Sequence, residues 1–108
     1  MSEIDCGDGV LRELARGDWG QLTMRTVRPG CEAGGHRHPN TAERWWVVRG
    51  RAVVTLDNGL LRTELRPHFD ETLRVGAGVW HSIRNEGDED VILVYWSDKV
   101  YEEQEKVI

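Results

Sequence analysis

The sequence has few cysteines, no long apolar run and no excess of positive charge. Its two cysteines, Cys6 and Cys31, stand far apart and in no CxxC pattern, which excludes a zinc ribbon and a CxxC redox pair and leaves two reduced thiols. No segment approaches the length needed to cross a membrane as a helix, and the start, Met1-Ser2-Glu3-Ile4-Asp5, lacks the basic and apolar stretches of a secretory signal. The expected compartment is the cytoplasm, with no membrane partner. The net charge is -5, from 19 acids against 14 bases, with acids gathered near Glu3, Asp5 and Asp8 and again from Glu86 to Glu105. That balance offers no basic stripe for phosphate backbones, so nucleic acid is not an expected partner.

What remains is an ordinary folding composition, 39% hydrophobic and 31% charged. With 108 residues and no repeat, linker or low-complexity run, the chain reads as a single domain over residues 1–108, large enough for a modest core. Short apolar stretches alternate with turn residues: Gln21 to Val27 before Pro29-Gly30, Arg44 to Val48 before Gly50, and Ala52 to Leu56 before Asp57-Asn58-Gly59. This is the rhythm of an all-β sandwich or barrel. Trp45-Trp46-Val47-Val48, Val53-Val54-Thr55 and Val91 to Trp96 carry the β-branched and aromatic residues that favour strands. Arg51 to Leu56 and Leu60 to Leu65 are expected to form a hairpin across Asp57-Asn58-Gly59, because Asn-Gly supplies positive φ angles. Two stretches read as helical, Val10 to Ala15 and the tail from Lys99 to Val107.

Three of the four histidines form two groups, His36-Arg37-His38 and His81, with Glu43 just behind the first. Residues two apart on a strand share a face, so His36 and His38 can aim both imidazoles at one point, and a turn through Pro39-Asn40-Thr41 can return Glu43 beside them. Imidazole nitrogens with one carboxylate suit a first-row divalent ion such as Zn, Fe, Mn, Ni or Co, whereas calcium would need oxygens. His68 falls between the groups in an expected loop and has no assigned role.

Gly30 to Gly50 reads G-x5-H-x-H-x4-E-x6-G, and Gly76 to Asn85 carries a glycine, His81 and Asn85 in the order G-x2-H-x3-N. These two stretches resemble the two motifs of the cupin superfamily, with Gly76 where that family prefers proline and Asp70 where it has a leading glycine. The resemblance implies a cupin β-barrel, a double-stranded β-helix of jelly-roll type with at most short terminal helices. It also implies one divalent transition metal ion on His36, His38, Glu43 and His81, turn glycines at Gly50 and Gly78, and a structural or pocket-side Asn85.

The Thr26-Val27-Arg28-Pro29-Gly30 lead, the run Glu43 to Ala52 and the ending Asp90 to Asp98 are similar to the C-terminal cupin domain of capsular-polysaccharide sugar-nucleotide reductases. Sugar-nucleotide ketoisomerases and type II mannose-6-phosphate isomerases are similar over shorter stretches, Val79-Trp80-His81 and Ala42 to Trp45 respectively. The implied activity is isomerisation or epimerisation beside the ketone of a small-molecule sugar substrate. Such chemistry needs a group that stabilises an enolate and a base that takes the α proton; no residue is assigned as that base.

Alternation from Glu43 puts Trp45 on the pocket face, and Tyr95 and Arg25 are the expected polar contacts to substrate. Neighbouring Trp45 and Trp46 must face opposite sides of one strand, which points to an apolar outer face and a homodimer. Two other functions stay open, an iron-dependent dioxygenase of a small metabolite and a metabolite-binding cupin without turnover.

Overall fold

The computed structural model describes residues 3–108. Ten strands follow one another: β1 (Glu3–Asp5), β2 (Val10–Gly17), β3 (Gly20–Val27), β4 (Glu32–His36), β5 (Glu43–Arg49), β6 (Ala52–Asp57), β7 (Arg62–Leu65), β8 (Leu73–Val75), β9 (Trp80–Asn85) and β10 (Val91–Ser97). They form two antiparallel sheets, one ordered β1-β2-β3-β10-β5-β8 and the other β4-β9-β6-β7. The expected all-β architecture is therefore present, and the two sheets enclose one core. That core takes Val27, Trp45, Val47, Val75, Val91 and Leu93 from the first sheet and Ala33, Ala52, Val54 and Ile83 from the second. Burying each large aliphatic side chain of this kind contributes about 1.5–3 kcal/mol.

Strand β5 follows the alternation expected of it. Glu43, Trp45 and Val47 are buried, while Arg44 and Trp46 lie outside. The hairpin expected across Asp57-Asn58-Gly59 is β6–β7, with Asp57 paired to Arg62, so its loop runs over residues 58–61. Asn58 caps this longer loop by accepting from the backbone N–H groups of Leu60 and Leu61.

Both helical expectations are corrected. Val10–Gly17 is a strand paired with β3, and a bulge between Glu13 and Ala15 breaks its two-residue alternation, leaving a spacing of apolar residues that mimics a helical one. The tail contains one short 3-10 turn, Tyr101–Glu103, and then runs extended until Arg37 and Val107 bridge through two backbone hydrogen bonds.

Gly50 has a φ of +89°, and a Cβ there would stand 2.7 Å from the Asp90 carbonyl oxygen, so the turn it forms requires glycine. Asn85 is structural: buried, it donates to the carbonyls of Val27 and Glu89 and accepts from Gly87 N–H.

Candidate metal centre

His36 ends β4 and pairs directly with His81 on β9. The two are thus neighbours within one sheet, and Glu43, expected beside His36 and His38, faces them from the other sheet. The pairing depends on a register shift between Gly34 and His36. Gly34 makes this possible with a φ of +87° and a backbone close enough to β9 that a Cβ would stand 3.0 Å from the His81 carbonyl oxygen.

His38 lies two residues past His36 and shares its face as alternation requires: the two Nε2 atoms are 3.2 Å apart. With His81, the three imidazoles offer ligand atoms that all lie within 4.8 Å of one another. Two of the rings are oriented by backbone carbonyls, His38 Nδ1 by Glu105 at 2.7 Å and His81 Nδ1 by Val79 at 3.0 Å. A carbonyl oxygen only accepts, so each Nδ1 carries the hydrogen, and Nε2 is the ring atom turned toward the common point. Burial, with His81 and His38 nearby, pushes His36 down to about 4. Burial also pushes His81 down to about 4, outweighing the opposing effect of its bond to Val79. Both rings are therefore neutral at pH 7, the form that ligates metals.

Glu43 is buried at 4% exposure, with Oε1 3.9 Å from His81 Nε2. It accepts from Trp45 Nε1 at 3.0 Å and from Ser97 Oγ at 3.0 Å. Burial raises its pKa above the ordinary carboxyl value, against the lowering effect of those two donors and of His38. Three converging imidazoles, with one carboxyl group beside them, have the chemistry that suits a first-row divalent ion.

The cluster lies on the wall of a cavity of about 380 Å³. Arg25, Trp45 and Tyr95, the expected substrate contacts, all line it. Trp45 sits edge-on to His81 with ring centroids 5.2 Å apart. Burial and the nearby Glu43 push the Tyr95 phenol above its ordinary value. Arg25 holds Asp8 at 2.6 Å through Nη2 and donates Nη1 to the Thr26 carbonyl. His68 is exposed and does not line the cavity.

Sequence reasoning missed the contribution of both chain ends. Cys6, Tyr101, Gln104 and Lys106 also line the cavity. It missed Ser97 as well, although Leu93, Tyr95 and Ser97 alternate inward on β10 and the argument that found Tyr95 applies two residues further on.

Comparison with known structures places this architecture. The capsular polysaccharide assembling protein CapF of Staphylococcus aureus superposes with a TM-score of 0.90 at 23% identity, over 99% of this chain and 33% of that one. An uncharacterized conserved protein with a double-stranded beta-helix domain from Klebsiella pneumoniae superposes with a TM-score of 0.77 at 21% identity, over 97% of this chain and 89% of its own. The fold is that of a cupin. Over residues 6–106 the chain matches the polysaccharide biosynthesis C-terminal domain family, and it belongs to that family. A relative in Pseudomonas aeruginosa, UDP-2-acetamido-2,6-beta-L-arabino-hexul-4-ose reductase, is 28% identical over 95 residues, which are 84% of this chain and 26% of that protein. The chain thus spans about a quarter of the length of that relative.

Proposed function

We propose that this chain is a metal-holding cupin that moves a proton beside a carbonyl, as an isomerase or epimerase of a keto-sugar or sugar nucleotide. One observation carries the reading: three converging imidazoles meet a buried carboxyl group on the wall of a cavity of about 380 Å³. His36, His38 and His81 would hold the ion, with Glu43 as the fourth donor. When bound, such an ion polarises a carbonyl oxygen and stabilises the enolate that forms when the α proton leaves.

The chain's own residues supply the rest. Trp45 and Leu93 exclude water from the inner wall, which strengthens every polar contact inside. Trp45 and Ser97 hold the Glu43 carboxyl group in one orientation. Tyr95 keeps its phenolic proton at neutral pH, so it serves as a hydrogen-bond donor to a substrate oxygen, and Arg25 borders the same space. Membership in a polysaccharide biosynthesis family and likeness to a sugar-nucleotide reductase support a sugar substrate.

Work in the cytoplasm as a homodimer belongs to the same reading. Among the described residues no helix is long and apolar enough to cross a membrane. In support of the dimer, Met24, Val94 and Trp46 stand side by side across three strands on the outer face of the larger sheet, with Trp46 46% exposed.

The test is to incubate metal-loaded protein with a UDP-linked keto-sugar in deuterated water and follow the sugar by mass spectrometry. Deuterium entering at carbon adjacent to the ketone is the expected result. No exchange, together with oxygen uptake by an iron-loaded sample, would replace the isomerase reading with an oxygenase.

A further inference from the structure

The cavity lining carries two permanent cations, Arg25 and Lys106, against one carboxyl group, although the chain as a whole carries -5. Its only carboxylate, Glu43, is enclosed and already accepts from Trp45 and Ser97. Of the two permanent cations in the lining, Arg25 is ion-paired with Asp8. The other, Lys106, has no ion-pair partner among the described residues.

The backbone that carries Lys106 is fixed on both sides. Glu105 N–H donates to Asn40 Oδ1 at 2.9 Å and the Glu105 carbonyl accepts from His38. Val107 exchanges two backbone hydrogen bonds with Arg37, at 2.8 and 2.9 Å. Lys106 is therefore presented to the cavity by a pinned strap and keeps an exposed, unpaired ammonium. Its charge also reaches the metal centre, where it contributes to lowering His36.

We propose that Lys106 anchors a phosphoryl group of the ligand at the cavity mouth, with a sugar ring held inside against the histidines. This rests on the reading of the site as one for sugars. A cavity of about 380 Å³ is at the small end for ligand sites, giving room for a hexose ring and leaving the rest of a sugar nucleotide outside. The phosphates of such a ligand would lie where the ring meets the mouth. A lysine is a compact point charge suited to phosphate oxygens.

The experiment is calorimetric titration of the metal-loaded protein with UDP and, separately, with inorganic phosphate, for the parent chain, Lys106→Arg and Lys106→Gln. UDP affinity is expected to fall by about fivefold in Lys106→Gln and to be largely kept in Lys106→Arg, with a shallower salt dependence in the glutamine variant. Tighter binding of UDP than of phosphate assigns the anchor to a nucleotide diphosphate, and equal binding assigns it to free phosphate. Either supports the proposal if Lys106→Gln weakens it. An unchanged affinity in Lys106→Gln, or no binding of either probe to the parent chain, overturns it. Repeating the titrations after metal removal separates the two readings. Lys106-dependent binding that survives chelation keeps the anchor even if no metal chemistry exists. Deuterium exchange with Lys106-independent binding keeps the isomerase and removes the anchor.

Discussion

His38 Nδ1 donates to the carbonyl oxygen of Glu105 at 2.7 Å, so a residue 67 positions away in the sequence fixes the tautomer and aim of an imidazole in the candidate metal centre. Asn40 secures the contact by donating to the Glu103 carbonyl at 3.0 Å and accepting from Glu105 N–H at 2.9 Å. Outer partners of this kind typically govern metal affinity by 10–100-fold.

Because the contact to His38 uses backbone, Glu105→Ala should leave metal affinity unchanged. Asn40→Ala should lower it by about tenfold, since the strap is then released from two of its bonds. Competition against a chelator of known affinity measures both. Equal affinities for Asn40→Ala and the parent chain would show that the strap does not orient His38.

The strap was not legible in the sequence, for a physical reason. Val100 and Val107 on an acidic background fit two helical turns, and nothing local to residues 99–107 records the Arg37 bridge or the Asn40 bonds that hold them extended. Tertiary hydrogen bonds decided the conformation, as they did for β2, where a bulge at Glu13–Ala15 displaced Leu14 outward and hid the strand period. The convergence of His36, His38 and Glu43 was legible because its determinants are local: the two-residue spacing of the histidines, the short return to Glu43, and glycines at fixed offsets. That His81 sits beside His36 in one sheet follows from strand register, which the sequence does not display.

Metal should stabilise the parent chain and do little for His36→Ala or His81→Ala. At free metal about a hundred times the dissociation constant, the gain is about 2.7 kcal/mol, which raises the melting temperature of a domain this size by about 10 °C or more. Thermal scans with metal and with chelator measure it, alongside elemental analysis, where about one ion per chain is expected. Equal melting of His36→Ala and the parent chain in metal, with equal gains over chelator, would exclude His36 as a ligand.

Glu43 offers a way to separate charge from shape. Glu43→Gln keeps the volume, and Ser97 Oγ can turn from donor to acceptor toward the new amide, so the metal-free protein should change in stability by less than about 1 kcal/mol. Its metal affinity should nevertheless fall, because an anionic donor is gone. Glu43→Ala strips Trp45 Nε1 of its acceptor and should cost about 1–3 kcal/mol without any metal present. Denaturant melts in chelator distinguish the two variants. A Glu43→Gln variant as unstable as Glu43→Ala would mean that the ionised carboxylate itself supports the fold.

The pH dependence of the metal-free protein follows from groups whose shifts oppose one another. His36 and His81 titrate near 4 when folded against 6.5 when unfolded, so between these values the unfolded chain binds more protons and stability falls as pH falls. At pH 5.5 the two histidines together account for roughly two protons taken up on unfolding. Glu43 acts the other way: burial raises its folded pKa above 4.5, so unfolding releases protons from it and offsets part of the histidine uptake. The net uptake near pH 5.5 is then smaller than the histidines alone would give, and the melting temperature in chelator should decline as pH drops from 6.5 toward 4. Glu43→Gln removes the opposing group, so net uptake should rise and the decline should become steeper. Melting curves at half-unit pH steps in chelator measure both slopes. Identical slopes for the two proteins would mean that Glu43 is ionised in the folded metal-free site despite its burial.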